Sequence, residues 1–119
     1  LAKTGLFIEF LTALPQYGDI PRYAFLTEFV GSPSAQAKMD FLKLLEDGLC
    51  RQNREYEYTR SSQLLRSPVL KVVRCGDYER YRAARIAEGS HEGQFKMPEL
   101  TADEGFSSNF AVEEELFLD

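Results

Sequence analysis

Two apolar segments near the start of the chain flank a short run of turn residues, and no other feature restricts the fold as strongly. Residues 6–14 read Leu-Phe-Ile-Glu-Phe-Leu-Thr-Ala-Leu, and residues 22–30 read Arg-Tyr-Ala-Phe-Leu-Thr-Glu-Phe-Val. Aromatic and branched side chains of this kind suit a pleated, buried surface. Between them, Pro15, Gly18, Asp19 and Pro21 fall within seven residues, so the two segments are expected to pair antiparallel across a turn. Successive side chains of a strand point to opposite faces. Tyr23, Phe25, Thr27 and Phe29 therefore share one face, and Ala24, Leu26, Glu28 and Val30 the other. Both faces carry apolar side chains, so the hairpin is expected to sit within a covered sheet.

The next segment supplies a cover. Gly31-Ser32-Pro33-Ser34 announces a helix; either serine suits the N-cap, and Pro33 suits the first turn if Ser32 is the cap. Met39, Leu42, Leu45, Leu49 and Tyr56 recur at helical spacing, predicting one helix with one apolar stripe from about 35 to 57. Each large side chain buried from that stripe stabilises the fold by about 1.5–3 kcal/mol. Gly48 is a mild weakness there, costing about 1 kcal/mol against alanine. Ser61 to Pro68 reads as a loop, and Val69 to Cys75 as a third strand stopped by Gly76. Asp77 is the expected cap of a second helix reaching about Glu88, with Gly89 placed to end it. The order β-β-α-β-α predicts a single α+β domain over 1–119, with a small sheet of about three or more strands covered by two helices. Beyond Ser90 no period is sustained, so His91 to Leu100 is expected to be an ordered loop. Residues 101–119 form an acidic tail, frayed or packed elsewhere. Phe106, Phe110, Leu116, Phe117 and Leu118 make it too apolar for disorder and compatible with a short helix.

Charge and composition exclude several classes of function. Residues 36 to 96 carry 12 Lys/Arg against 9 Asp/Glu, whereas residues 97 to 119 carry 7 acids and no base. With that tail, and no basic stripe interleaved with stacking aromatics, a nucleic-acid partner is not expected. No apolar run approaches the ~20 residues that span a bilayer. Cys50 and Cys75 lack metal-ligand spacing and His91 is the sole histidine, so no metal site is expected. Reduced, partly buried thiols fit a cytoplasmic protein. The opening Leu1-Ala2-Lys3-Thr4 has neither an initiator Met nor a signal-peptide pattern, and reads as a start within a longer protein.

The catalytic inventory is thin. There is no Gly-rich phosphate loop, nucleophile elbow or paired-His motif. His91 beside Glu92 reads as a solvent-exposed loop histidine rather than an acid/base pair. Glu113, Glu114 and Glu115 are consecutive, so on a strand or helix they do not converge on one cation. The informative stretch runs from Gly89 to Pro98, where two glycines and a proline fix the backbone path around Lys96. A lysine so placed is a movable point charge for a phosphate or carboxylate, and charge aimed at oxygens that turn negative in a transition state is a large catalytic term. By composition alone Lys96 remains a surface lysine.

An ordered motif series changes that reading. Asn53-x-x-Tyr56-x-x-x-Arg60 is followed by Leu65-x-x-Pro68 and by Val72-Val73-x-x-Gly76-x-Tyr78-Glu79-x-Tyr81. Gly89 and Gly93-Gln94-Phe95-Lys96-x-Pro98-x-Leu100 complete it. The series resembles the C-terminal domain of the auxin-responsive acyl acid amido synthetases, members of the adenylate-forming superfamily that also holds acyl-CoA synthetases and firefly luciferase. The segment Arg22 to Glu28 fits that family's second strand less specifically.

The resemblance implies a ligase working in two steps. A carboxylic acid and ATP with Mg give an acyl-adenylate, and an amine, commonly of an amino acid, then displaces AMP. It also implies a large N-terminal adenylation domain, absent here, that holds the nucleotide and the acyl substrate, with this chain as the small lid. Lys96, and beside it Gln94, match the family's late Gln-aromatic-Lys motif and become candidates for contact with the nucleotide phosphates or the reacting carboxylate. Asn53 and Arg60 match family positions but are expected to be structural. Such a lid alone folds without catalysing. The competing reading is a non-catalytic protein-interaction or ligand-binding α+β domain; a Ser/Thr-Gly-rich phosphate loop upstream of Leu1 in the parent gene separates the two.

Overall fold

The computed structural model describes residues 6–89 and 95–118. Strands β1 (Ile8–Gln16) and β2 (Arg22–Phe29) form the expected antiparallel hairpin. Helices α1 (Ala35–Gln52) and α2 (Arg54–Ser61) lead to β3 (Val69–Val73), which lies parallel to β2. Helix α3 (Asp77–Ala87) follows, then a short 3-10 helix (Glu104–Asn109) and β4 (Val112–Phe117). The four strands stand in the order β1-β2-β3-β4, with β4 antiparallel to β3. The α+β class and the β-β-α-β-α order hold, and a fourth strand extends them.

The two apolar faces of the hairpin found separate covers. Phe25 and Phe29 pack with Leu70 against Phe41 and Leu42 of α1. Ala24 and Leu26 pack with Leu14, Val69 and Val73 against Tyr78 of α3, Phe106 of the 3-10 helix and Phe110 just after it. Alternation lets β1 serve both layers, Leu11 and Ala13 on the α1 side and Phe10 and Leu14 on the α3 side, and a register shift between Ile8 and Phe10 sets Ile8 on the α1 side as well.

Of the two serines that suit the N-cap, Ser34 caps α1, its hydroxyl accepting from the Ala37 amide at 3.1 Å. The single helix from 35 to 57 is two helices broken at Asn53, whose φ of −138° and ψ of 104° are extended. Asn53 closes α1 through its amide, which donates to the Leu49 carbonyl, and opens α2 through its side-chain oxygen, which accepts from the Tyr56 amide at 3.0 Å. Phe41, missed by the periodic reading, meets Phe29 edge-on at 5.9 Å.

Asp77 is not the cap of α3 but its first residue. The turn into the helix runs through Gly76 at φ +88°, a left-handed conformation that glycine adopts without a Cβ clash. The capping acid comes instead from β2. Glu28 is buried and accepts from the Gly76 amide at 2.9 Å and the Tyr78 amide at 3.0 Å. It thereby satisfies donors that the helix itself leaves open.

The acidic tail holds a strand as well as the short helix. Arg74 pairs with Glu113 at 3.5 Å, Lys38 of α1 pairs with Glu114, and Lys71 lies opposite Glu115 in the ladder. Two of the three consecutive glutamates thus have basic partners, from α1 and from the residue that follows β3.

Candidate functional site

Lys96 rides on a strap laid across the outer edge of β1. The Ala13 amide donates to the Glu99 carbonyl at 2.9 Å, and the Thr101 amide donates to the Ala13 carbonyl at 3.0 Å. These two bonds attach the strap in parallel beside the edge strand, with Ala13 opposite Leu100. The neighbours of Lys96 in sequence are both anchored. Phe95 contacts Tyr81 with ring centroids 6.2 Å apart, and Met97 packs on the α3-side core. Lys96 itself is exposed. Phe95 and Met97 are half-buried on either side of it.

A buried hydroxyl pair lies under the strap. Thr12 Oγ1 donates to the Pro98 carbonyl at 2.8 Å, and the Tyr78 hydroxyl meets Thr12 Oγ1 at 2.8 Å and the Leu26 carbonyl at 3.0 Å. Thr12 and Tyr78 are fully buried, and burial pushes the Tyr78 phenol well above its ordinary range. It remains a neutral donor throughout the physiological range. Phe10 stacks on Tyr78 at 4.7 Å, and Phe10, Leu11, Met97 and Pro98 with Glu9 and Glu99 line a shallow groove beside Lys96.

Asn53 and Arg60 stand elsewhere, at the α1–α2 break. Arg60 Nε donates to Glu46 Oε2 at 2.7 Å, its second guanidinium nitrogen lies 2.6 Å from the same oxygen, and its third donates to the Leu65 carbonyl at 3.1 Å. The Tyr56 hydroxyl donates to Glu46 Oε1 at 2.6 Å. Glu46 is buried, so this pairing is what lets an acid sit there. Burial first, then the bond to Glu46, drives the Tyr56 phenol far up, and burial also raises the Cys50 thiol. Cys50 and Cys75 are both free thiols.

Gln94 and His91 lie outside the described residues. Among the described residues, no group of three His, Cys, Asp or Glu side chains gathers as a metal site, and no helix is long and apolar enough to cross a membrane. What sequence reasoning missed is the support beneath Lys96. Its signal was available: Thr12 interrupts the apolar alternation Phe10-x-Leu14, and Glu28 interrupts Ala24-x-Leu26. A polar residue on an apolar face marks a buried partner to be found. As it stands, the strap offers one exposed cation on fixed backbone, able to meet an oxyanion brought from outside the domain.

Similarity to known proteins agrees with this architecture. The fold matches that of a solved GH3.15 acyl acid amido synthetase with a TM-score of 0.80 at 17% identity, over 94% of this chain. The chain spans about a fifth (21%) of that synthetase's length. A search of curated proteins returns no match. The family described as the GH3 family C-terminal domain matches residues 2–105, a span containing the hairpin, all three α-helices and the Lys96 strap. This chain belongs to the GH3 family C-terminal domain.

Proposed function

We propose that this chain is the lid of an ATP-dependent ligase that joins a carboxylic acid to an amine, such as that of an amino acid, through an acyl-adenylate. The observation that carries the reading is Lys96, exposed on a strap whose flanking side chains, Phe95 and Met97, are half-buried. A cation held in this way meets phosphate or carboxylate oxygens without first ordering its own backbone, so little orientation entropy is lost on closure. Closing a lid over a reacting centre also excludes water and strengthens each charge contact inside it.

ATP with Mg would supply the AMP group that makes the carboxyl reactive as the acyl-adenylate, with pyrophosphate as the group released. The described residues fit one contact to it, through Lys96, and offer no phosphate-cradling loop. The nucleotide and the acyl substrate therefore belong mainly to an N-terminal adenylation domain of the same polypeptide, with Gln94 beside Lys96 as a second candidate contact. The amine enters after adenylation, when the lid reorients. The free thiols of Cys50 and Cys75 fit a cytoplasmic enzyme.

In the full-length protein, Lys96→Ala is expected to slow acyl-adenylate formation or aminolysis by about 10²-fold, the size typical of removing one aimed charge or donor. Melting temperature should not move, because the side chain is exposed. Single-turnover rates that stay unchanged with an unchanged melt return Lys96 to an ordinary surface lysine and leave the non-catalytic interaction domain as the better reading.

A further inference from the structure

We infer that Thr12 is a positioning residue for Lys96: its buried hydroxyl links helix α3 to the strap and sets where the lysine stands. The inference rests on the proposed role of Lys96 and adds the residue that fixes its mount.

The Thr12 hydroxyl can serve both of its contacts at once. The Pro98 carbonyl can only accept, so the Thr12 proton goes to it. The Thr12 oxygen is then free to accept from the Tyr78 hydroxyl, which also reaches the Leu26 carbonyl. The chain of donation thus runs from α3, through β1, to the strap two residues past Lys96. Every member is held: Tyr78 is fully buried and stacked on Phe10, and the Leu26 carbonyl lies in β2 at the centre of the sheet.

Thr12 is also the only side chain among the described residues that hydrogen-bonds the strap backbone between Phe95 and Leu100. The other attachments there are the backbone pair around Ala13, beyond Pro98, and the packing of Phe95 and Met97. Packing resists withdrawal of the strap but tolerates sliding along an apolar surface. A directed hydrogen bond does not, since it weakens steeply with angle. Losing the Thr12 hydroxyl therefore leaves the strap in place with its register loosened, and Lys96 moves with it.

Valine is nearly the shape of threonine without the donor, and in Thr12→Val the Tyr78 hydroxyl keeps the Leu26 carbonyl. The test uses the full-length protein with Thr12→Val, Thr12→Ser and Lys96→Ala. Hydrogen exchange is read at the Thr101 amide, which bonds the Ala13 carbonyl, and at the Leu70 amide in the sheet centre as reference. Thr12→Val should speed exchange at Thr101 by about threefold to tenfold, the worth of one net hydrogen bond, and leave Leu70 unchanged. It should lower kcat by a similar factor with KM for the carboxylic acid unchanged, and Thr12→Ser should restore both. Unaltered exchange at Thr101 overturns the inference. So does faster exchange with an unaltered kcat, when Lys96→Ala in the same assay is slow. A Lys96→Ala protein that turns over normally refutes instead the reading of Lys96, and the positioning role falls with it.

Discussion

The join between the sheet and α3 depends on Glu28, and replacing it puts a number on that dependence. Its carboxylate is only 6% exposed and takes up two amides at the mouth of the helix, at 2.9 and 3.0 Å. Hydrogen bonds to a charged group contribute about 1.5–3 kcal/mol each, and an anion at a helix N-terminus adds about 0.3–1 kcal/mol. Desolvating the carboxylate works against these by up to several kcal/mol. Glu28→Ala removes the anion but leaves the two amides without their acceptor, at about 1–3 kcal/mol each. The expected loss is about 3–5 kcal/mol, a large share of the 5–15 kcal/mol that holds a typical domain. Glu28→Gln keeps one acceptor oxygen and most of the shape, so its loss should be about 2 kcal/mol. Urea unfolding of the parent and both variants, followed by far-UV circular dichroism, reads the shift in midpoint at constant slope. The order should be parent above Gln above Ala. Should both variants fall within about 0.5 kcal/mol of the parent, the range of neutral surface changes, the carboxylate is not what caps α3.

Two further outcomes follow from the same reasoning about helix ends. Asn53→Ala should destabilise the domain by about 1 kcal/mol, the usual worth of an N-cap, and lower helix content at α2 alone; an unchanged urea midpoint would mean that α2 is held by Tyr56 and Arg60 without its cap. Asp77 is held below its ordinary carboxylate range, first by the Arg80 guanidinium and then by the Ala111 amide that donates to it. A lowered folded pKa gives stability that is present above the unfolded value of about 3.9 and is lost as pH falls through the folded one. Arg80 is half exposed and screened by water, so the Ala111 bond should carry most of the effect, about 1 kcal/mol. Asp77→Asn should accordingly melt below the parent at pH 7, with the gap closing under pH 4; a gap that persists at pH 2 would contradict this.

The residues of this chain determined by themselves whatever is set by neighbours in sequence. Alternation in 22–30 put Phe25 and Ala24 on opposite faces, and turn chemistry between Pro15 and Pro21 made the hairpin, because both follow from local backbone geometry. The motif series ending in Lys96 pointed to the family before any contact was known. Tertiary structure decided what depends on partners remote in sequence. Three consecutive glutamates lie in a strand because β3 offers a ladder edge and the two cores take Val112 and Leu116, while Arg74 and Lys38 pair with Glu113 and Glu114. The helix from 35 to 57 broke at Asn53 because Tyr56 and Arg60 reach back to Glu46, at a gain no helical wheel records. Asp77 lost the cap of α3 to Glu28, which lies 48 residues before Gly76 and meets it only across the folded sheet. The site divides in the same way: sequence names Lys96 and includes Tyr78 in the motif series, and the fold joins Tyr78 to Thr12 beneath the strap. A buried hydrogen bond needs both partners brought together, and that is a property of the packed molecule rather than of either residue.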